Sequence, residues 1–179
     1  MRSSVPDSLL AQLASHRWLV PLLADLAAHK GARFVELIHR LGLSRDSLSR
    51  TLVAATETGW VRRNPGHGHP LRPEYILTEQ GAAAAARAAT IAEAQRAIGL
   101  PPGAATRWGL PLVAGIGAGH DRFNALSRLL APATPRALSQ GLTALGKHGL
   151  VTREILDLRP PASRYALTSI GRLLAEACL

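Results

Sequence analysis

Gly42-Leu43-Ser44-Arg45-Asp46-Ser47-Leu48-Ser49-Arg50-Thr51-Leu52, running on to Thr58-Gly59, carries a turn, a cap and a helix stop in one short segment. Gly42-Leu43 suits a tight turn. Ser44 offers a hydroxyl to the unpaired amides of a helix start, and Leu48, Leu52 and Ala55 recur at the spacing of one helix face. Gly59 supplies the left-handed residue on which a helix ends. Just upstream, Arg33 to Leu41 reads as a shorter helix with Phe34, Leu37, Ile38 and Leu41 inward. A helix, a glycine turn and a capped second helix give a helix-turn-helix outline.

Outward from this centre the pattern stays regular. Residues 7 to 16 read as an amphipathic helix, capped by Asp7 or Ser8, with Leu9, Leu10 and Leu13 on one side. A second helix is expected from Pro21, since proline suits a first turn, through Leu22, Leu23 and Leu26 to Lys30-Gly31. Past Gly59 the period changes: Trp60-Val61-Arg62-Arg63 reads as a strand, Asn64 to Pro70 as a Gly/Pro loop, and Tyr75-Ile76-Leu77 as the returning strand. Residues 79 to 99 read as a long Ala-rich helix, with Ile91 and Ile98 as its larger apolar groups, broken at Pro101-Pro102-Gly103.

The same text then returns about ninety residues later. Trp18-Leu19-Val20-Pro21-Leu22 recurs as Trp108-Gly109-Leu110-Pro111-Leu112, and Arg33-Phe34 as Arg122-Phe123. Leu48-Ser49 and Leu52 recur as Leu138-Ser139 and Leu142, Gly59-Trp60-Val61 as Gly149-Leu150-Val151, and Tyr75-Ile76-Leu77-Thr78 as Tyr165-Ala166-Leu167-Thr168. Every aromatic residue except Trp60 has an aromatic counterpart. Thr134, with Pro135 after it, is expected to cap the second copy's equivalent of the Ser44 helix. The expected fold is mainly α with small β-hairpins (α+β), as tandem winged helix-turn-helix domains forming a pseudo-dimer. The expected divisions are residues 1–81, an Ala-rich linker helix at 82–104, and residues 105–179.

Composition narrows the function. Lys and Arg number 21 against 12 Asp and Glu, a formal charge of +9, and only Lys30 and Lys147 are lysines. An arginine fork can grip phosphate or a guanine edge with two hydrogen bonds. The lone Cys178 excludes an internal disulfide framework and a Cys-based zinc knuckle, and fits a reducing cytosol. Met1 to Asp7 lacks an apolar core with a cleavage site, and no apolar run is long enough to span a bilayer, so a cytoplasmic protein without membrane partners is expected.

Several marks combine: Trp with Leu four residues on (Trp18 to Leu22, Trp108 to Leu112), then Arg-Phe, then Leu-Ser with a following Leu. Gly-hydrophobic-Val-x-Arg (Gly59 to Arg63, Gly149 to Arg153) and Tyr-x-Leu-Thr-x-x-Gly (Tyr75 to Gly81, Tyr165 to Gly171) complete the set. Together they resemble the HxlR branch of the MarR-like bacterial regulators over most of both copies. The resemblance implies sequence-specific binding of double-stranded DNA by a transcription regulator. Members of that branch usually act as homodimers of one such domain, so two fused copies imply a single-chain pseudo-dimer. Whether two chains pair further is left open. Some members carry a sensing cysteine near the N-terminus; none stands there in this chain.

In such a protein the third helix of each copy sits in the major groove. Turned at about 100° per residue, the first such helix presents Asp46, Ser49, Arg50 and Val53 outward, with Arg45 in its first turn. The second presents Arg136, Ser139, Gln140 and Thr143. Arg62, Arg63 and Arg72 border one wing, and Arg153, Arg159 and Arg164 the other, for phosphate or minor-groove contact. Because the heads differ (Asp46 against Arg136, Arg50 against Gln140), an imperfect inverted repeat is expected, its half-sites about one helical turn (~10 bp) apart.

Other signals are weak. His67-Gly68-His69 without nearby Cys or acid makes a poor metal site. Gly115-Ile116-Gly117-Ala118-Gly119 does not complete a dinucleotide fingerprint and is read as loosening a helix end. No nucleophile arrangement and no clustered carboxylates stand out, so no enzyme, metal or cofactor is expected, and a small-molecule effector is left unidentified. Repression is expected on grounds of economy, because a compact binder blocks a promoter by occupying it. The rival expectation is a winged-helix protein-interaction module without DNA binding, which an exposed apolar patch on the outward helices would favour.

Overall fold

A computed structural model describes residues 8–64, 74–105, 107–157 and 162–179. In chain order they form α1 (Ser8–Leu13), α2 (Leu19–His29), β1 (Ala32–Arg33), α3 (Phe34–Leu41), α4 (Arg45–Glu57), β2 (Val61–Asn64), β3 (Glu74–Leu77) and α5 (Glu79–Ala97). There follow α6 (Gly109–Gly117), α7 (Phe123–Leu129), α8 (Pro135–Lys147), β4 (Val151–Leu156), β5 (Ala162–Leu167) and α9 (Ser169–Cys178). The class is the expected one, mainly helical with small antiparallel hairpins, and three helices followed by a hairpin occur twice. Among the described residues no helix is long and apolar enough to cross a membrane.

The chain divides into two compact units. One is Trp18–Glu93. The other joins the described residues up to Arg17 to Ala94–Leu179. Helix α1 therefore packs in the unit of the second copy, against α6. Leu10 and Leu13 are its buried residues, and the Arg17 Nε donates to the Gly103 carbonyl at 2.6 Å.

In the Trp18–Glu93 unit, α2 begins at Leu19, two residues before the expected Pro21. Proline is tolerated there because first-turn amides have no partner inside the helix. Leu19, Leu22, Leu23 and Leu26 of α2 are fully buried, as are Leu37 and Leu48. The sequence pattern gives no sign of β1: Ala32 and Arg33 pair antiparallel with Tyr75 and Glu74, extending the β2–β3 hairpin to a three-stranded sheet of order β1-β3-β2. In the other unit this third strand is reduced to one bridge, Arg122 to Arg164, beside the β4–β5 hairpin.

The Tyr-x-Leu-Thr-x-x-Gly element has a mechanical explanation. The Thr78 hydroxyl donates to the Gly59 carbonyl at 2.6 Å and accepts from the Gly81 amide at 2.9 Å, and the Thr78 amide donates to the Trp60 carbonyl at 2.9 Å. Thr168 repeats the clasp on Gly149 at 2.7 Å and Gly171 at 3.1 Å. The helix after each wing is thus capped and bolted to the two residues that lead into the wing's first strand. Only glycine fits the third position of that helix, because a Cβ on Gly81 or Gly171 would run into the carbonyl oxygen of Trp60 or Leu150.

Helix α6 ends within the run Gly115 to Gly119, at Gly117, but these glycines do more than close a helix. Gly115 and Gly117 lie inside α6 at its packing contacts. A Cβ on Gly115 would come within 2.9 Å of a Leu129 methyl and 3.1 Å of a Leu126 methyl, and one on Gly117 within 3.0 Å of the Ala175 Cβ. These glycines let α7 and α9 approach α6 closely. The long helix also stops earlier than expected, at Ala97, leaving Ile98 beyond its end. Ala84, Ala88, Ile91 and Gln95 form its buried stripe.

Candidate nucleic-acid interface

Each copy builds an exposed helix face on a buried one. In α4 the Ser44 hydroxyl accepts from the Ser47 amide at 3.2 Å, fixing the first turn. Leu48, Thr51, Leu52 and Ala55 then face the core. Arg45, Asp46, Ser49 and Arg50 are left exposed, with Val53 56% exposed among them. In α8 the Thr134 hydroxyl accepts from the Ala137 amide at 3.2 Å, and Pro135 takes the first turn. Leu138, Gly141, Leu142 and Leu145 are buried, and Arg136, Ser139, Gln140 and Thr143 are exposed. The Thr143 hydroxyl donates to the Ser139 carbonyl at 2.9 Å, so its proton is committed to its own helix.

The helix starts differ electrically. A helix N-terminus carries partial positive charge and favours an anion. In α4 that anion is built in as Asp46; α8 has no acid in its first turn and carries Arg136 at the matching position.

The wings hold the remaining candidates. Arg62 and Arg63 are exposed on β2, opposite Ile76 and Tyr75. Arg153 is exposed on β4 opposite Tyr165, and its Nε donates to the Ser163 hydroxyl at 3.0 Å. Arg164 is exposed on β5 but is partnered at 3.1 Å with Asp121, two residues before α7, and stands across from Glu154. Arg72, Arg159 and His67-Gly68-His69 lie outside the described residues. Among the described residues no group of three His, Cys, Asp or Glu could hold a metal ion.

Two arginines ahead of the short helices matter more than the sequence suggested, where they served only as repeat marks. Arg33 is locked to Glu36: its backbone amide donates to Glu36 Oε2 at 2.8 Å, and its guanidinium Nε and terminal nitrogen reach Oε1 at 2.9 and 2.7 Å. The hydrogen bond from the Arg33 amide, helped by the Arg33 and Arg40 charges and opposed by partial desolvation, holds the Glu36 carboxyl below its ordinary pKa. Arg40 is likewise bound two-pronged to Asp25, at 2.9 and 2.8 Å, and its own pKa is raised by that partner.

Arg122 stands at the place of Arg33, but Ala125 replaces Glu36. It opens onto a groove of about 760 Å³ within this unit, whose walls include Arg122, Arg128, Arg153, Ser139, Ser163 and Tyr165. The groove runs between the starts of α7 and α8 and the β4–β5 hairpin. The signal that could have found it was the substitution of acids between copies: Glu36, Asp46 and Glu74 match Ala125, Arg136 and Arg164.

A family model described as HxlR-like helix-turn-helix matches residues 13–97 and again residues 104–179. The HTH-type transcriptional regulator YtfH of Escherichia coli is 31% identical over 71 residues, covering 40% of this chain and 56% of the relative. YdeP of Bacillus subtilis, also described as an HTH-type transcriptional regulator, is 36% identical over 61 residues, covering 34% and 48%. The chain thus spans about half the length of the relatives it matches. A crystal structure described as a MarR-family transcriptional regulator of Enterococcus faecalis has 33% identity and a TM-score of 0.40, covering 49% of this chain and 74% of that one.

Proposed function

The chain belongs to the HxlR-like helix-turn-helix family, carrying two matches to it, and we propose that it is a transcription regulator that binds double-stranded DNA through both copies. The observation that supports this best is the repeated pairing of a leucine-seated helix with an outward polar face: Arg45, Ser49 and Arg50 on α4, and Arg136, Ser139 and Gln140 on α8. Arginine presents a fork matched to guanine, and glutamine one matched to adenine. Exposed Arg62, Arg63 and Arg153 on the wing strands fit phosphate contact.

The two heads are unlike, so the proposed target is an imperfect inverted repeat read by one chain acting as a pseudo-dimer. The regulatory sign proposed is repression by promoter occupancy. In vitro selection of bound duplexes with the full chain, with the mass of the complex measured alongside, tests this. Enrichment of two related but unequal half-sites on one chain is expected. Failure to enrich any duplex over random sequence refutes DNA reading.

The rival reading, a protein-interaction module, draws on exposed Val53 and on Ile155 of β4, which is 70% exposed. Each stands beside polar or charged neighbours, Arg50 and Thr56 on α4 for Val53, and Glu154 on β4 with Asp157 just past its end for Ile155. Scattered apolar side chains are ordinary on a surface, and a valine on such a helix suits a thymine methyl.

A further inference from the structure

The groove of the second copy is strongly basic and already shaped. Among the described residues that line it there is no carboxylate. Arg128 is held by its Nε, which donates to the Asn124 carbonyl at 3.2 Å, and Arg153 by its Nε on the Ser163 hydroxyl at 3.0 Å. Both anchors use the inner nitrogen, so the terminal nitrogens that form a two-pronged grip are uncommitted among the described residues. Arg122 is not paired with an acid there, and its bridge partner Arg164 is a like charge already spent on Asp121. Three guanidiniums around one groove repel one another, and an anion between them removes that repulsion. Fixing the Arg128 and Arg153 forks beforehand lowers the ordering cost of binding.

The matching place in the first copy is different. Arg33 has its Nε and a terminal nitrogen on Glu36, Glu74 stands across from Arg33 in the sheet, and Asp46 occupies the first turn of α4. Arg63, which matches Arg153, is exposed on β2, so an incoming phosphate there meets one exposed arginine together with the carboxylates of Glu36 and Glu74.

We propose that the second winged copy is the electrostatic anchor of the chain: the Arg122–Arg128–Arg153 groove seats a backbone phosphate of duplex DNA, while Glu36 and Glu74 weaken the equivalent contact in the first copy. This rests on the DNA-binding reading above. It adds that the copies divide the work, with phosphate grip concentrated in the second and the first contributing more through its exposed helix face.

The test needs no operator, because phosphate contact is independent of sequence. Binding of the full chain to a labelled mixed-sequence duplex of about 30 base pairs is followed by fluorescence anisotropy across a potassium chloride series. Removing one arginine–phosphate pair reduces the steepness of log K against log salt by about one. Arg122→Gln and Arg153→Gln are each expected to reduce it measurably, by up to that amount, because they share one phosphate with Arg128. Ala125→Glu, which keeps all three arginines and restores the acid of the first copy, is expected to do the same, whereas Arg33→Gln leaves the steepness unchanged and Glu36→Ala increases it. Circular dichroism melts confirm that each variant is folded, and Ala125→Glu keeps the test independent of arginine packing. Salt-dependent binding that is indifferent to Ala125→Glu and to Arg122→Gln overturns the anchor while leaving DNA binding intact. Absence of any salt-dependent duplex binding by the unaltered chain overturns both.

Discussion

Replacing Gly81 by alanine sets two opposed effects against each other. Gly81 is the third residue of α5, and helix propensity alone makes Gly→Ala favourable there by at most about 1 kcal/mol. The surroundings of Gly81 oppose it. The new Cβ would strike the carbonyl oxygen of Trp60 and lie 2.7 Å from its carbonyl carbon and 2.9 Å from its Cα. The obstacle is backbone, so no side chain can swing aside. Forced overpacking costs roughly 1–3 kcal/mol. Moving α5 away to relieve it strains the Thr78 clasp, whose bonds to Gly59, Gly81 and Trp60 are worth about 1 kcal/mol each. The net expectation is a destabilisation of about 2–4 kcal/mol, or a Tm lower by about 5–15 °C. Gly146→Ala in α8 is the control: its Cβ meets only the Val151 carbonyl oxygen, at 3.7 Å, and a gain of up to about 1 kcal/mol is expected. Urea and thermal unfolding of both variants decide it. If Gly81→Ala is as stable as the unaltered chain, the reasoning about the motif's glycine is wrong.

Three further variants each probe a single interaction. Thr134→Ala removes the cap of α8 and should cost about 1 kcal/mol in urea unfolding, with Thr134→Ser close to unaltered. Glu36 has a lowered folded-state pKa, so its contribution is complete above the ordinary carboxylate value of 4.5 and is lost as pH falls below it; Glu36→Gln should therefore narrow its stability deficit relative to the unaltered chain between neutral pH and about pH 3. Arg50→Gln makes the two outward faces alike at one position, and duplex selection should then return a more symmetric pair of half-sites, with the change confined to one half.

Much of the fold was readable because its causes are local. A serine or threonine before a leucine-spaced run caps a helix wherever the chain goes next, so the starts of α4 and α8 fell where Ser44 and Thr134 placed them. The exposed faces of both helices followed from the same arithmetic. What was misplaced depended on partners far away in sequence. β1 has two residues and no strand pattern; it exists because β3 lies beside it. The run from Gly115 to Gly119 reads only as the loosened end of a helix, and the neighbouring Leu129 and Ala175 reveal Gly115 and Gly117 as sites of close packing.

Sequence alone settled that one capped helical plan is written twice and that its outward residues are mostly polar, with Arg45, Arg50 and Arg136 among them, because periodicity and capping are properties of near neighbours. It could not say which arginines are spent. Arg33 and Arg122 head the same short helix, and only three-dimensional packing ties one to Glu36 and leaves the other facing a groove with Arg128 and Arg153. A charge's worth depends on what stands within a few ångströms of it, and that is fixed when distant segments meet.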